Sequence, residues 1–219
     1  PHGDRPYSAF FIGGGTYSIP RAWGPKPQVK VTVAEIDPAV TAIARDMMWF
    51  EPTPVIQIAH ADARVQLRQM QDGALDVVVG DAFHDISVPQ HLVTQEFAQE
   101  IRTKLKPDGV YVMTVIDAAR EPRFMLAMLK TLREVFPVVE IWVDAQQMGG
   151  GGRLTYLLSA SAAPIPSPVL ESRQIAGRQW QRVNPGAVAG SLSPEDVPVL
   201  TDDLAPVDRL IGVVAEQAR

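Results

Sequence analysis

Between Ser8 and Ile116, short β-rich runs alternate with helix-length segments, and this alternation restricts the fold more than any other property of the chain. Ser8–Ile12, Val29–Ile36, Val55–Ala59, Ala74–Val79 and Val110–Ile116 read as strands. Between them, Asp37-Pro38 caps and starts a helix running to about Trp49, and Ala63–Met70 and Thr94–Leu105 are further helices. Lys106-Pro107-Asp108-Gly109 reads as the turn into the fifth strand. Ala74–Val79 is almost continuously apolar, as suits a parallel strand covered on both faces. Strands and helices in this order form βαβ units with right-handed crossovers and a parallel sheet.

After a helix over Pro122–Val135 the pattern changes. Val138–Val143 and Leu154–Ser159 are separated by Gln146, Gln147, Met148 and the glycines Gly149 to Gly152, which predicts an antiparallel hairpin at the sheet edge. The expected fold is therefore α/β: a doubly wound, mostly parallel seven-stranded sheet ending in an antiparallel hairpin. Residues 1–163 form the expected nucleotide-binding domain, and 164–219 a linker and helical extension packed on it. In that extension, helices are expected near Pro168–Val183 and from Pro206 to Ala218, with Thr201 or Asp202 as a cap.

Composition narrows the function classes. The net charge is -5 with no basic stripe, which argues against a nucleic-acid partner. There are no cysteines, and the four histidines lack zinc-site spacing, so no metal is expected. No apolar run approaches the roughly 20 residues of a membrane span. No signal peptide is evident, and a cytoplasmic location is expected. The chain begins Pro1-His2-Gly3 without an initiator Met, so a longer parent is expected, of which this is the soluble part.

The chemistry-bearing residues follow the strands. Gly13, Gly14 and Gly15 close the first strand, where an absent Cβ lets backbone approach a ligand; a structural turn is the alternative. Glu35 lies 20 residues beyond Gly15 at the end of the next strand, placed to accept hydrogen bonds from ribose hydroxyls or to be a surface carboxylate. Asp62, before Ala63, suits either an adenine amine or a helix cap. Asp81 leaves the fourth strand where a reacting group would lie and could hold an amine and take its proton, with capping of its loop as the alternative. His84 and Asp85 are weaker candidates beside it. Tyr17, Trp23, Trp49, Phe50 and Met148 fit core or pocket walls, Tyr17 on the substrate side, and Asp117 lies near the same edge. Ser18 stands where a dinucleotide fingerprint has its third glycine, which disfavours a nicotinamide-dependent dehydrogenase.

F-I-G-G-G-T-Y (11–17), V-A-E-I-D (33–37), H-A-D-A-R (60–64), V-V-G-D-A-F (78–83) and L-K-P-D-G-V (105–110) together resemble the polyamine aminopropyltransferase, or spermidine synthase, family. L-T-D-D-L-A-P-V-D-R-L (200–210) resembles the end of bacterial members, some of them fused to a transporter-like membrane region. The resemblance implies the class I methyltransferase-like Rossmann fold. It also implies decarboxylated S-adenosylmethionine or S-adenosylmethionine as donor, a small-molecule amine as acceptor, and a missing amino-terminal membrane or β-stranded region. A homodimer is among the assemblies it allows.

By the same resemblance, Gly13, Gly14 and Gly15 line the methionine-like moiety, Glu35 binds ribose, Asp62 and Ala63 meet adenine, and Asp81 activates the attacking amine. Tyr17, His84 and Asp85 fall on the acceptor side. Two departures reduce the charge complement for a dicationic polyamine: Thr16 or Tyr17 replaces an acid of the glycine loop, and His84 replaces the second acid of the D-x-x-D loop. The expected activity is aminopropyl transfer. The alternatives are methyl transfer from S-adenosylmethionine, or a non-catalytic nucleotide-binding module of a membrane-associated protein.

Overall fold

Four strands near the amino terminus run in parallel. β1 (Tyr7–Ile12) pairs with β2 (Val29–Ala34) on one side and β4 (Leu75–Gly80) on the other, and β2 pairs with β3 (Ile56–Ala59). The computed structural model describes residues 6–23, 28–82, 88–172 and 175–211. Two compact units are present, residues 1–83 with 100–111, and residues 84–99 with 112–219. α4 (Gln95–Lys104) and β5 (Leu105–Ala118) contribute residues to both.

In the first unit, register does the positioning. Ile12 lies opposite both Ala34 and Gly80, and Ala34 opposite Ala59, so the four strands finish level along one edge. Every residue of β4 is buried, as its almost continuous apolar run requires, and the one charged member, Asp76, is paired with Lys106 at 2.7 Å. α1 (Ser18–Arg21) follows the glycine loop. α2 (Pro38–Met47) starts where Asp37 accepts the Ala39 amide and Pro38 supplies a preset φ. α3 (Ala63–Arg68) starts where Asp62 accepts the Val65 amide at 3.0 Å. Glu100 ties α3 to its own segment by accepting from Arg64 and Arg68, each at 2.8 Å. The segment expected as a turn, Lys106–Gly109, is part of β5. A Cβ on Gly109 would meet Lys106 O, Leu75 O and Leu105 Cδ2 at 3.0 Å, so the chain is packed too closely there for a side chain.

The second unit is antiparallel. β6 (Val138–Asp144) pairs with β7 (Arg153–Ser161) as the expected hairpin. α5 (Arg123–Arg133) buries Phe124 through Leu129 almost without interruption. The hairpin is not the edge, because β9 (Gln179–Val183) pairs with the other side of β6 and β8 (Val169–Glu171) with β9. This overturns the helix expected over Pro168–Val183 and brings the strands to nine among the described residues, instead of seven.

Long-range partners account for the change. Arg182 pairs with buried Glu140 across β6–β9, and Arg178 with buried Asp144 at 2.8 Å. Each guanidinium also lies over an indole, Arg178 on Trp180 at 5.4 Å and Arg182 on Trp142 at 5.7 Å. Such tertiary contacts override local propensity. α6 (Pro185–Val188) and α7 (Val207–Ile211) follow. Neither Thr201 nor Asp202 caps α7: Thr201 bridges to Leu204, while Asp202 accepts the Thr94 hydroxyl and donates its amide to Glu96. Among the described residues no helix is long and apolar enough to cross a membrane.

Candidate functional site

The level strand ends place four loops side by side in the first unit. Gly13 follows Ile12, Glu35 follows Ala34, His60 follows Ala59 and Asp81 follows Gly80. Ligands of parallel sheets bind at this carboxyl edge.

Glu35 is the centre of the arrangement. It is 7% exposed, and its carboxylate accepts three backbone amides: Gly14 at 2.9 Å and Gly15 at 3.4 Å on Oε2, Asp37 at 3.0 Å on Oε1. The glycine loop and the acid therefore share one edge and touch. Gly13 donates to Ala34 O at 2.9 Å, and its φ is +90°. A Cβ there would meet Ala82 Cα and Asp81 O at 3.1 Å, so the close approach of this loop to the β4 exit requires glycine. The Asp81 amide completes the junction by donating to Ile12 O at 3.1 Å.

Tyr17 is a correction. Its side chain is fully buried, stacked on Phe50 at 4.2 Å and 13°, with its hydroxyl 2.6 Å from Thr41 Oγ1. Burial raises its pKa, against the Thr41 hydrogen bond, which lowers it. A ring enclosed in this way is a strut under the glycine loop and presents no face to a substrate. Its backbone is left-handed at φ 55°, and its ring lies where a Cβ on Gly14 would be. Trp23 packs on Tyr7 and Phe11 as a core wall, whereas Trp49 is 87% exposed and belongs to neither core nor pocket.

Asp62 acts as the α3 cap, and Ala63 behind it is buried. Asp81 is exposed at the β4 exit. His84 and Asp85 lie outside the described residues. Asp117, in the second unit, is 1% exposed and accepts the Ala118 amide at 2.7 Å and the Met125 amide at 2.9 Å. Burial pushes its pKa up to about 6 despite those amides. It holds the start of α5. Ile36, directly after Glu35, is 69% exposed, an apolar side chain beside a buried acid at a strand end. Among the described residues no three His, Asp or Glu side chains gather as a metal would need.

The profile of the spermine/spermidine synthase domain matches residues 4–156. A polyamine aminopropyltransferase of Moorella thermoacetica is 28% identical over 186 residues, covering 80% of this chain and 64% of the relative, so the chain spans less than two-thirds of that protein. A crystal structure described as a probable spermidine synthase from Corynebacterium glutamicum superposes with a TM-score of 0.69 at 24% identity, over 83% of this chain and 68% of that one. A spermidine synthase in complex with the transition-state analogue AdoDATO gives 0.56 at 21% identity, over 95% and 69% of the two chains. At these identities the two structures bear on the fold, which is shared. The profile match runs from before β1 into β7 and takes in the glycine loop, Glu35 and Asp81 alike, and the chain belongs to the spermine/spermidine synthase family.

Proposed function

We propose that the β1–β4 edge binds the adenosyl group of decarboxylated S-adenosylmethionine and that the protein transfers its aminopropyl group to an amine. The observation that carries this reading is the contact of Glu35 with Gly14 and Gly15. A carboxylate offers about four lone-pair sites, and backbone amides take three, leaving one on Oε1 for a ribose hydroxyl. A second hydroxyl would displace the long 3.4 Å contact with Gly15. Ile36 supplies an apolar face for the adenine ring, with Asp62 and Ala63 at the next strand exit to meet its polar edge. Binding of an adenosyl analogue by a relative of the same fold supports the donor class.

In the reaction, the neutral amine attacks the carbon next to the sulfonium. The C–N bond forms as the C–S bond breaks, the electron pair goes to sulfur, and methylthioadenosine leaves as a neutral thioether. The proton shed by the new ammonium passes to Asp81 and on to solvent. Positioning of amine and carbon supplies most of the acceleration.

Aminopropyl transfer to amines, measured with decarboxylated donor, tests the reading. Asp81→Asn should lower kcat about 10²- to 10⁴-fold. Tight donor binding with no transfer to any amine would sink it. Methyl transfer is the second reading, favoured by Thr16, an exposed residue hydrogen-bonded to Ser18 where the family pattern has an acid for the donor's amine. Tighter binding of the carboxylated than of the decarboxylated donor would select it.

A further inference from the structure

The second unit holds a cavity of about 630 Å³ at the carboxyl end of β5, a volume that suits a small-molecule ligand. Three loops wall it, the segment after β5, the end of the β6–β7 loop and the turn after α6. They are fastened to one another: Ala119 donates to Gly152 O at 2.8 Å, the Ser191 hydroxyl donates to the Glu121 carboxylate, and Tyr156 donates to Ala118 O at 2.8 Å. The cavity is therefore held open before any ligand arrives.

Its lining carries two ionic side chains of opposite sign, Arg120 and Glu121. Arg120 is exposed and makes no hydrogen bond or ion pair with any described residue. Glu121 is held in left-handed backbone at φ 56°, a conformation a non-glycine residue adopts at a cost and that the Ser191 contact helps to hold. Glu121 is fixed in this way, and Arg120 beside it brings a cation to the same lining.

We propose that this cavity binds a small amine that also carries a carboxylate, the carboxylate on Arg120 and the ammonium on Glu121. A dication would set one ammonium against Arg120, and a dianion one carboxylate against Glu121; only a ligand with one charge of each sign satisfies both walls. The planar guanidinium fork suits a carboxylate in two-point contact. The assignment of the cavity stands alone and does not depend on the aminopropyl-transfer reading.

Three probes of equal length test it by ligand-observed NMR and calorimetry on the whole protein: 4-aminobutanoate, 1,4-diaminobutane and butanedioate. Wild type should bind 4-aminobutanoate at least about tenfold more tightly than either of the others. Arg120→Gln should weaken that binding about 10- to 100-fold, and Arg120→Glu should reverse the preference towards the diamine. Equal or tighter diamine binding by wild type, binding of none of the three, or an unchanged preference in folded Arg120→Glu would overturn the proposal. Turnover with decarboxylated donor is scored separately. Binding of 4-aminobutanoate with that preference upholds the cavity whatever the turnover; the transfer reading falls only if no amine accepts the aminopropyl group.

Discussion

Replacing Glu35 by Gln keeps the shape of the side chain, removes its charge and turns one acceptor into a donor. The least costly orientation leaves the amide oxygen at the Oε2 position, where it still accepts from Gly14 and Gly15. The NH₂ group then faces the Asp37 amide, now 3.0 Å from an acceptor, and creates a donor–donor contact. One nearly buried N–H is left unpaired, which costs about 1–3 kcal/mol. For a protein of this size that lowers Tm by roughly 2–12 °C. The lost acceptor is also the one with a lone pair left for ribose. Exchanging a charge-assisted bond for a neutral or misdirected one costs about 1.5–3 kcal/mol, or roughly 10- to 150-fold in Kd for methylthioadenosine. Calorimetry at a temperature where circular dichroism shows the variant fully folded separates the two effects. A folded Glu35→Gln protein binding methylthioadenosine within twofold of wild type would refute the ribose role.

Other perturbations probe the supports of the site and of the second unit. Gly14→Ala puts a Cβ 2.4 Å from Tyr17 Cζ, and because that ring is stacked on Phe50 the loop must yield; stability should fall about 1–3 kcal/mol in chemical denaturation. Asp117 is raised from 3.8 to about 6 by burial, so the folded state binds its proton more tightly than the unfolded state does. Its contribution is fully present below about pH 4 and is lost as pH rises to about 6, costing about 3 kcal/mol. Tm measured from pH 4 to 7 should show that decline, and Asp117→Asn should remove it. Arg182→Ala leaves the Glu140 carboxylate buried without its cation and should cost about 3 kcal/mol, with faster amide exchange along β9; unchanged exchange there would contradict the account of why β9 forms.

The parallel half of the fold was legible because its determinants are local. A strand run ending in glycines, an acid at the next strand end and an Asp-Pro helix start each sit within a few residues of the structure they produce, and Gly13, Glu35 and Asp37 lie where that logic places them. β8 and β9 were not legible. Their strand form depends on Glu140 and Asp144, more than thirty residues upstream, and no window around Arg178 or Arg182 contains those partners. Tyr17 was half legible, for a related reason. Core and pocket wall were both open to an aromatic next to the glycine loop, and Phe50 and Thr41, brought in from the far end and the middle of the α2 region, make it a buried strut. Ile36 erred in the opposite direction, reading as one more strand residue although β2 stops at Ala34.

The adenosyl site proposed at Glu35 and the glycine loop is tested most directly by a crystal structure with methylthioadenosine. A ribose hydroxyl should lie within hydrogen-bond distance of Glu35, the ring against Ile36 and the thioether over Gly13 to Gly15. Methylthioadenosine seated anywhere else, or a ribose turned away from Glu35, would contradict the account.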